Sequence, residues 1–255
     1  MKTKMHSLIQ DHKQFNKFVD ILPDLIRDEV YFLSLSARNK YLTDAEREEF
    51  DLGRTEMFSR QIAFDKEGIK LAMDRMRADL DVRRTRNGSL IPEKCLVVYM
   101  NIHPSSTVKA YRAFSGQMDR HYEEAFMGTL NGSTASDMWI PFRRMSTNLM
   151  NHIQKSASRK TMVDIDIDGE DSLESNSLLG GVLNFLSEHS VPYTTIQTQG
   201  GYHVLVRTEY LSKEVPLYKI ISGLDKGTSG EVKFNSNAMV PIPGTLQAGK
   251  LVKIF

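Results

Sequence analysis

Val163-Asp-Ile-Asp-Ile-Asp168 alternates an aliphatic residue with a carboxylate three times in succession. Successive side chains of a β-strand point to opposite faces, so Asp164, Asp166 and Asp168 share one face and Val163, Ile165 and Ile167 the other. Neighbouring aspartates on that face stand roughly 6–7 Å apart. At an effective dielectric of about 20, each such pair repels by roughly 2.5 kcal/mol before salt screening. Aspartate is also a poor strand former. Three in register must either face open water, as on an edge strand, or meet a cation. A cluster of oxygen ligands suits Mg²⁺ or Mn²⁺. A calcium loop is excluded, because the twelfth position counted from Asp164 is Ser175 rather than a bidentate glutamate, and the flanks read as strand.

Outward from this stretch the pattern is of short strands around one helix. Leu178, Leu179, Val182, Phe185 and Leu186 mark a helix, and Thr194–Gln199 and Tyr202–Arg207 read as strands. Glu231–Phe234 and Met239–Ile242 read as a last pair joined at Asn235-Ser-Asn237. Gly200-Gly201 lets a ligand approach the backbone closely, and His203 follows on the face opposite Tyr202 and Val204. A histidine with no second ligand histidine nearby suits contact with phosphate better than zinc. The His-x-His pair of rolling-circle nucleases is absent. Gly244-Thr-Leu-Gln-Ala-Gly249-Lys250 approximates a phosphate-binding loop but fails it. Leu251 stands where Ser or Thr is needed, and only five residues follow Lys250, too few for the required helix. Pro241-Ile-Pro-Gly-Thr245 then reads most simply as a rigid turn.

Before Ser158 the chain reads as mostly helical. Thr43-Asp-Ala-Glu46 spells a capping box. Ile69, Met73, Met76 and Leu80 form one apolar helix face, the methionines as core filler. Val30–Ser36 and Leu96–Ile102 are strands. Pro104-Ser-Ser-Thr107 opens a helix carrying Val108, Tyr111 and Phe114, and Arg143–Ala157 is another. Arg38 and Lys40, at the end of the Val30 strand, are either solvated or in contact with phosphate. No Pro/Gly/Ser linker divides the chain. One α+β domain is expected, with a mostly helical first part (1–158) packed on the motif-bearing part (159–255).

Composition narrows the class. Lys plus Arg is 33 and Asp plus Glu 32 in 255 residues, a formal net charge of +1, with 40% apolar and 25% charged residues. That is ordinary globular usage, and it excludes a disordered chain. No run of 18 apolar residues offers a membrane span. No apolar stretch follows Met1-Lys-Thr-Lys-Met-His6, so a secretory signal is not expected. A lone cysteine, Cys95, forms neither an internal disulfide nor a Cys-rich zinc site, which fits a reducing, cytoplasmic location. Near-zero charge does not announce a nucleic-acid binder, although a basic groove can be local.

In order and spacing these pieces resemble the archaeo-eukaryotic primase superfamily in its small phage- or plasmid-type primase-polymerase form. Asp164-Ile-Asp166 matches the acidic motif, Gly200-Gly-Tyr-His203 the small-residue/His motif, and Val240-Pro-Ile-Pro-Gly-Thr245 the turn. The resemblance covers residues 160–250 well and the first half only loosely, through Tyr31–Tyr41. It implies an RRM-like catalytic sheet and template-directed nucleotidyl transfer, making primers on single-stranded DNA from NTPs or dNTPs with Mg²⁺ or Mn²⁺. Asp164, Asp166 and a third acid would hold two metal ions, and the third acid is Glu231 or, after Leu224, Asp225. Asp168 would be peripheral. His203 would contact the incoming nucleotide's phosphates, with Arg38 and Lys40 as further nucleotide or template contacts. Arg143, Arg144, Lys155, Arg159 and Lys160 are candidates for a groove along the template, or for most of them a solvated helix face. A replicative helicase is a possible partner. The other readings are a primase-like module that binds nucleic acid or a helicase without catalysis, and a metal-dependent nuclease.

Overall fold

The computed structural model describes residues 7–82, 85, 87–130, 140–169, 173–211, 231–235 and 239–255. In chain order the elements of the first half are α1 (His12–Ile21), β1 (Glu29–Arg38), α2 (Asp44–Phe50), β2 (Thr55–Ala63), α3 (Lys66–Val82), β3 (Leu96–Asn101), β4 (Ser105–Ser106), α4 (Thr107–Leu130), α5 (Ile140–Arg143) and α6 (Met145–Lys155). The second half adds β5 (Met162–Asp168), α7 (Leu173–Glu188), β6 (Tyr193–Thr198), β7 (Gly201–Arg207), β8 (Glu231–Asn235), β9 (Met239–Pro241), β10 (Leu246–Gln247), β11 (Lys250–Leu251) and β12 (Lys253–Ile254).

β1 is apolar on both faces and both are buried. Tyr31, Leu33 and Leu35 enter the main core, while Val30 and Phe32 enter a smaller one with Ala110 of α4 and Ile153 of α6. β1 accordingly lies inside an antiparallel sheet of order β2-β1-β3-β9, with β4 pairing its first residues. A second antiparallel sheet has the order β12-β6-β7-β5-β8, and β10 and β11 make a separate ribbon. The main core joins the sheets: Phe15 and Phe18 of α1, Ile69, Met73 and Met76 of α3, and Leu96, Val98 and Met100 of β3 cluster with Met162, Ile196, Leu205 and Ile254 of the second sheet. On the far face of the second sheet, Leu178, Val182, Phe185 and Leu186 of α7 cover Ile165, Ile167, Val204 and Val206. The architecture is mixed α+β. Among the described residues, no helix is long and apolar enough to cross a membrane.

The structure corrects the sequence reading at some points and adds to it at others. The first half does not simply lay helices over the motif-bearing sheet; it builds a sheet of its own. β2, which the sequence does not predict, lies at that sheet's edge. Thr55, Glu56, Ser59, Arg60 and Gln61 put polar groups on both of its faces, so no period of two shows. Glu231–Asn235 and Met239–Pro241 are not partners. β8 pairs β5 in the second sheet, and β9 pairs β3 in the first. Pro241, which has no N–H to donate, suits β9's place at the edge. On α4, Phe114 is buried but Val108 and Tyr111 are exposed, because Ala110, Phe114 and Met118 make the inward face. Finally, Arg159 is not free to line a template groove. Its guanidinium Nε and Nη2 donate to Glu29 Oε1 and Oε2 at 3.0 and 3.2 Å, and Nη2 also donates to the Asp24 carbonyl at 2.6 Å.

That pair ties the entry of β1 to the entry of β5. Burial would raise the Glu29 pKa, but hydrogen bonds from Arg159 and the Ile26 amide outweigh it and hold it below its ordinary 4.5. A carboxylate lowered in the folded state adds stability above its unfolded pKa and loses it as pH falls through the folded value. Arg159→Ala should cost about 1–2 kcal/mol at pH 7. That is less than a fully buried pair would cost, because the Arg159 side chain keeps 40% of its exposure and water screens it. The gap between variant and wild type should narrow as pH drops below 4.5. Urea midpoints measured at pH 7 and at acid pH check both the size and the direction.

Candidate active site

β5 is not an edge strand, since β7 and β8 flank it. Its pairing with β7 sets Asp164 opposite Leu205, Asp166 opposite His203 and Asp168 opposite Gly201. Cross-strand partners share a face, so His203 joins the acidic row. Asp164 is fully buried, Asp166 half-buried and Asp168 exposed. A solvated edge face is therefore not the environment of Asp164. Its neighbourhood supplies an imidazole instead: His203 Nδ1 lies 3.0 Å from Asp164 Oδ1, 3.2 Å from Oδ2 and 3.7 Å from Asp166 Oδ1. Burial would push the His203 pKa down. The hydrogen bond to Asp164 and the charges of Asp164, Asp166 and Asp168 override it and raise the pKa above its usual value.

The first sheet brings positive charge to this row. Arg38 ends β1, and its Nη1 donates to the Tyr99 hydroxyl of β3 at 2.9 Å. The charge of Asp166 reaches that hydroxyl. Lys40 lies beside the Gly200 turn, where a Cβ added at Gly200 would be 3.7 Å from Nζ. Burial and the nearby Arg38 lower the Lys40 pKa, against the opposing pull of Asp168 and Asp166. Tyr41 packs near both cations, its ring centre 6.0 Å from Arg38 Cζ and 5.1 Å from Lys40 Nζ. A cleft of about 540 Å³ opens here, lined by Lys40, Tyr41, Thr43, Gln199, Gly200 and Ala248.

Two turns bear on the cleft, of which the one at Gln199 and Gly200 lines it. Between β6 and β7, Thr198 Oγ1 donates to the Gly201 carbonyl and accepts from the Gly200 amide. The Pro-Gly-Thr turn is fixed against the start of α1: the Gln10 and Asp11 amides donate to the Gly244 carbonyl, and the Thr245 hydroxyl donates to the Ile242 carbonyl. Gln247 follows that turn and links it to the rest. Its Nε2 donates to the Tyr41 hydroxyl at 2.7 Å, and its Oε1 accepts from the Gln199 amide at 3.2 Å. Sequence reasoning assigned no role to Tyr41, Tyr99 or Gln247. For Tyr99 a signal exists: along β3, Val97, Tyr99 and Asn101 alternate with the core residues Leu96, Val98 and Met100, so polar tips recur on one face.

Of the sequence-predicted residues, Asp164, Asp166 and His203 thus share one face; Lys40 feels the charges of Asp168 and Asp166 from the other side, and Arg38 approaches through Tyr99. The register of β8 sets Glu231 opposite Asp168, two residue pairs beyond Asp166, whose own β8 partner is Lys233. Asp225 lies outside the described residues. Arg143, Arg144, Lys155 and Lys160 are exposed.

Among the described residues, no group of three His, Cys, Asp or Glu side chains is arranged to hold a metal ion. Magnesium asks less of a protein, taking one or two carboxylates and completing its shell with water and phosphate oxygens. Asp164 and Asp166 are two neighbouring carboxylates on one face, but neither lines the cleft, and both Asp164 oxygens already face His203 Nδ1. The chain matches no protein-family model, no curated protein and no solved structure.

Proposed function

We propose that this chain is a template-directed nucleotidyltransferase of the primase-polymerase kind, acting on single-stranded DNA. The observation that supports it is the meeting of Asp164, Asp166 and His203 on one sheet face, with Lys40 and, through Tyr99, Arg38 approaching from the other side. In this reading Asp164 and Asp166 hold Mg²⁺ or Mn²⁺, which when bound supplies an activated 3′-hydroxyl and neutralises triphosphate charge. The remaining work belongs to side chains. His203 directs Nδ1 to Asp164 and keeps Nε2 for a phosphate oxygen, with its proton held on by the acidic row. Lys40 and Arg38 offset the polyphosphate's charge from the opposite side. Tyr41, tied to Gln247, forms a fixed wall of the cleft and restricts how a nucleotide enters it.

A second reading has its own support. His203 already engages both oxygens of Asp164, the arrangement of a settled structural ion pair. A primase-like module that binds nucleic acid without catalysis would keep that pair. Incubation with single-stranded DNA, Mn²⁺ and NTPs or dNTPs separates the two. The enzyme reading expects oligonucleotide products from wild type; binding of DNA with no product would favour the module. Degradation of labelled DNA with no nucleotide added would favour a nuclease.

A further inference from the structure

Helix α4 carries a second apolar stripe that stays largely exposed, although its Tyr122 ring meets Phe142 of α5 at 4.6 Å between ring centres. Val108, Tyr111, Tyr122 and Phe126 are 45%, 64%, 57% and 67% exposed. An α-helix has 3.6 residues per turn, so Val108 and Phe126, 18 positions apart, lie on one line after five turns, about 27 Å apart. Tyr111 and Tyr122 lie roughly 60° and 40° to one side of that line, and Ser115 and Asp119 within about 20° of it. The stripe runs beside the buried face of Ala110, Phe114 and Met118, which packs toward α6. Scattered exposed apolar residues are ordinary, but a row of two tyrosines, a valine and a phenylalanine on one helix face is not.

The row has a symmetry that selects its occupant. Val108 and Phe126 are equally distant from residue 117, and Tyr111 and Tyr122 are centred at the same place to within half a residue. A second copy of α4, turned by a two-fold axis through that point and running antiparallel, would set Val108 against Phe126, Tyr111 against Tyr122 and Ser115 against Asp119. Charge agrees with this placement. Arg112 and Glu123 each follow one tyrosine and flank the row on the same side, so Arg112 of one copy would face Glu123 of the other. Neither takes part in a salt bridge among the described residues. Self-complementarity of this kind defines an isologous dimer interface.

We propose that the chain forms a two-fold dimer through antiparallel pairing of α4 along Val108, Tyr111, Tyr122 and Phe126. Large aromatic side chains bury about 150–250 Å² each. Starting from side chains already partly covered, the paired rows remove on the order of 1,000 Å² in total, the low end for a specific interface. An interface of that size belongs to the weak, reversible class. The inference does not depend on the catalytic reading.

Sedimentation equilibrium of the full chain from about 5 to 200 µM tests it. Wild type should pass from monomer to dimer across that range. Phe126→Asp should weaken association at least about tenfold, with an unchanged far-ultraviolet circular dichroism spectrum. Arg112→Glu and Glu123→Arg should each weaken it about fivefold, and the double exchange should return it to within about threefold of wild type. A wild-type chain that stays monomeric throughout overturns the proposal. So does a dimer indifferent to Phe126→Asp, or a double exchange that fails to recover.

Discussion

Asp164→Asn should lower oligonucleotide synthesis at least about a hundredfold, and Asp166→Asn by a similar factor, while both proteins still fold. The amide keeps the shape of the carboxylate but removes its charge. For Asp164 that also withdraws the main support of the His203 proton, because the hydrogen bond from Nδ1 at 3.0 Å heads the influences that raise the imidazole pKa. Two readouts follow. Product formation on single-stranded DNA with Mn²⁺ and nucleotides reports the chemistry, and NMR titration of His203 reports the pair. In wild type the imidazole should titrate above 6.5 and in Asp164→Asn fall back toward it. Stability follows the same sign. A histidine raised in the folded state contributes fully below its unfolded pKa, and the contribution disappears as pH rises through the folded value. The Asp164→Asn variant should therefore lose more stability relative to wild type at pH 5 than at pH 9. Wild-type levels of product from Asp164→Asn would end the catalytic assignment, whatever the titration shows.

Gly201→Ala should destabilise the fold by more than about 3 kcal/mol or leave no cooperative unfolding transition. The residue opens β7 at φ +138°, a conformation that side chains rarely adopt. A Cβ there would lie 2.0 Å from the Ile167 carbonyl oxygen of β5. That neighbour is backbone, so it cannot rotate aside, and relief requires the two central strands to part. The same two strands carry Asp166 and His203 as a cross-strand pair. Stability and site geometry should thus fail together, unlike the Asp164→Asn case. Urea titration followed by circular dichroism gives the first effect. Gly200→Ala is the control: its nearest contact is the flexible end of Lys40 at 3.7 Å, and it should cost less than about 1 kcal/mol.

The parts of this structure that were legible in the sequence are those written in a local period. The alternation from Val163 to Asp168 specified both the strand and the division of its faces. The three- and four-residue spacing of Ile69, Met73 and Met76 did the same for α3, and Thr43 with Glu46 forms the expected capping box. What could not be read was pairing. Locally, Glu231–Asn235 and Met239–Pro241 look like the arms of a hairpin, yet their partners are Asp164–Asp168 and Tyr99–Asn101. Those partners lie far away in sequence, and no local rule names them. β2 escaped notice because an edge strand wetted on both sides has no period to show. Arg159 resembled its exposed basic neighbours, and only the fold reveals the buried Glu29 that holds it. At the site, the acids and the histidine carried signals of residue type and spacing. Gln247 acts through reach across the fold, to Tyr41 and Gln199, and spacing along the chain cannot display that.

The departure of β8 and β9 into different sheets has a mechanical consequence. Asn235 pairs directly with Asp164, and Met239 pairs with Asn101 of the other sheet. Four Cα steps separate them, and an extended chain spans no more than about 14 Å over that length. The covalent chain is thus a short tether one strand away from the buried aspartate. Any parting of the two sheets at this corner is therefore limited to what that length of chain allows.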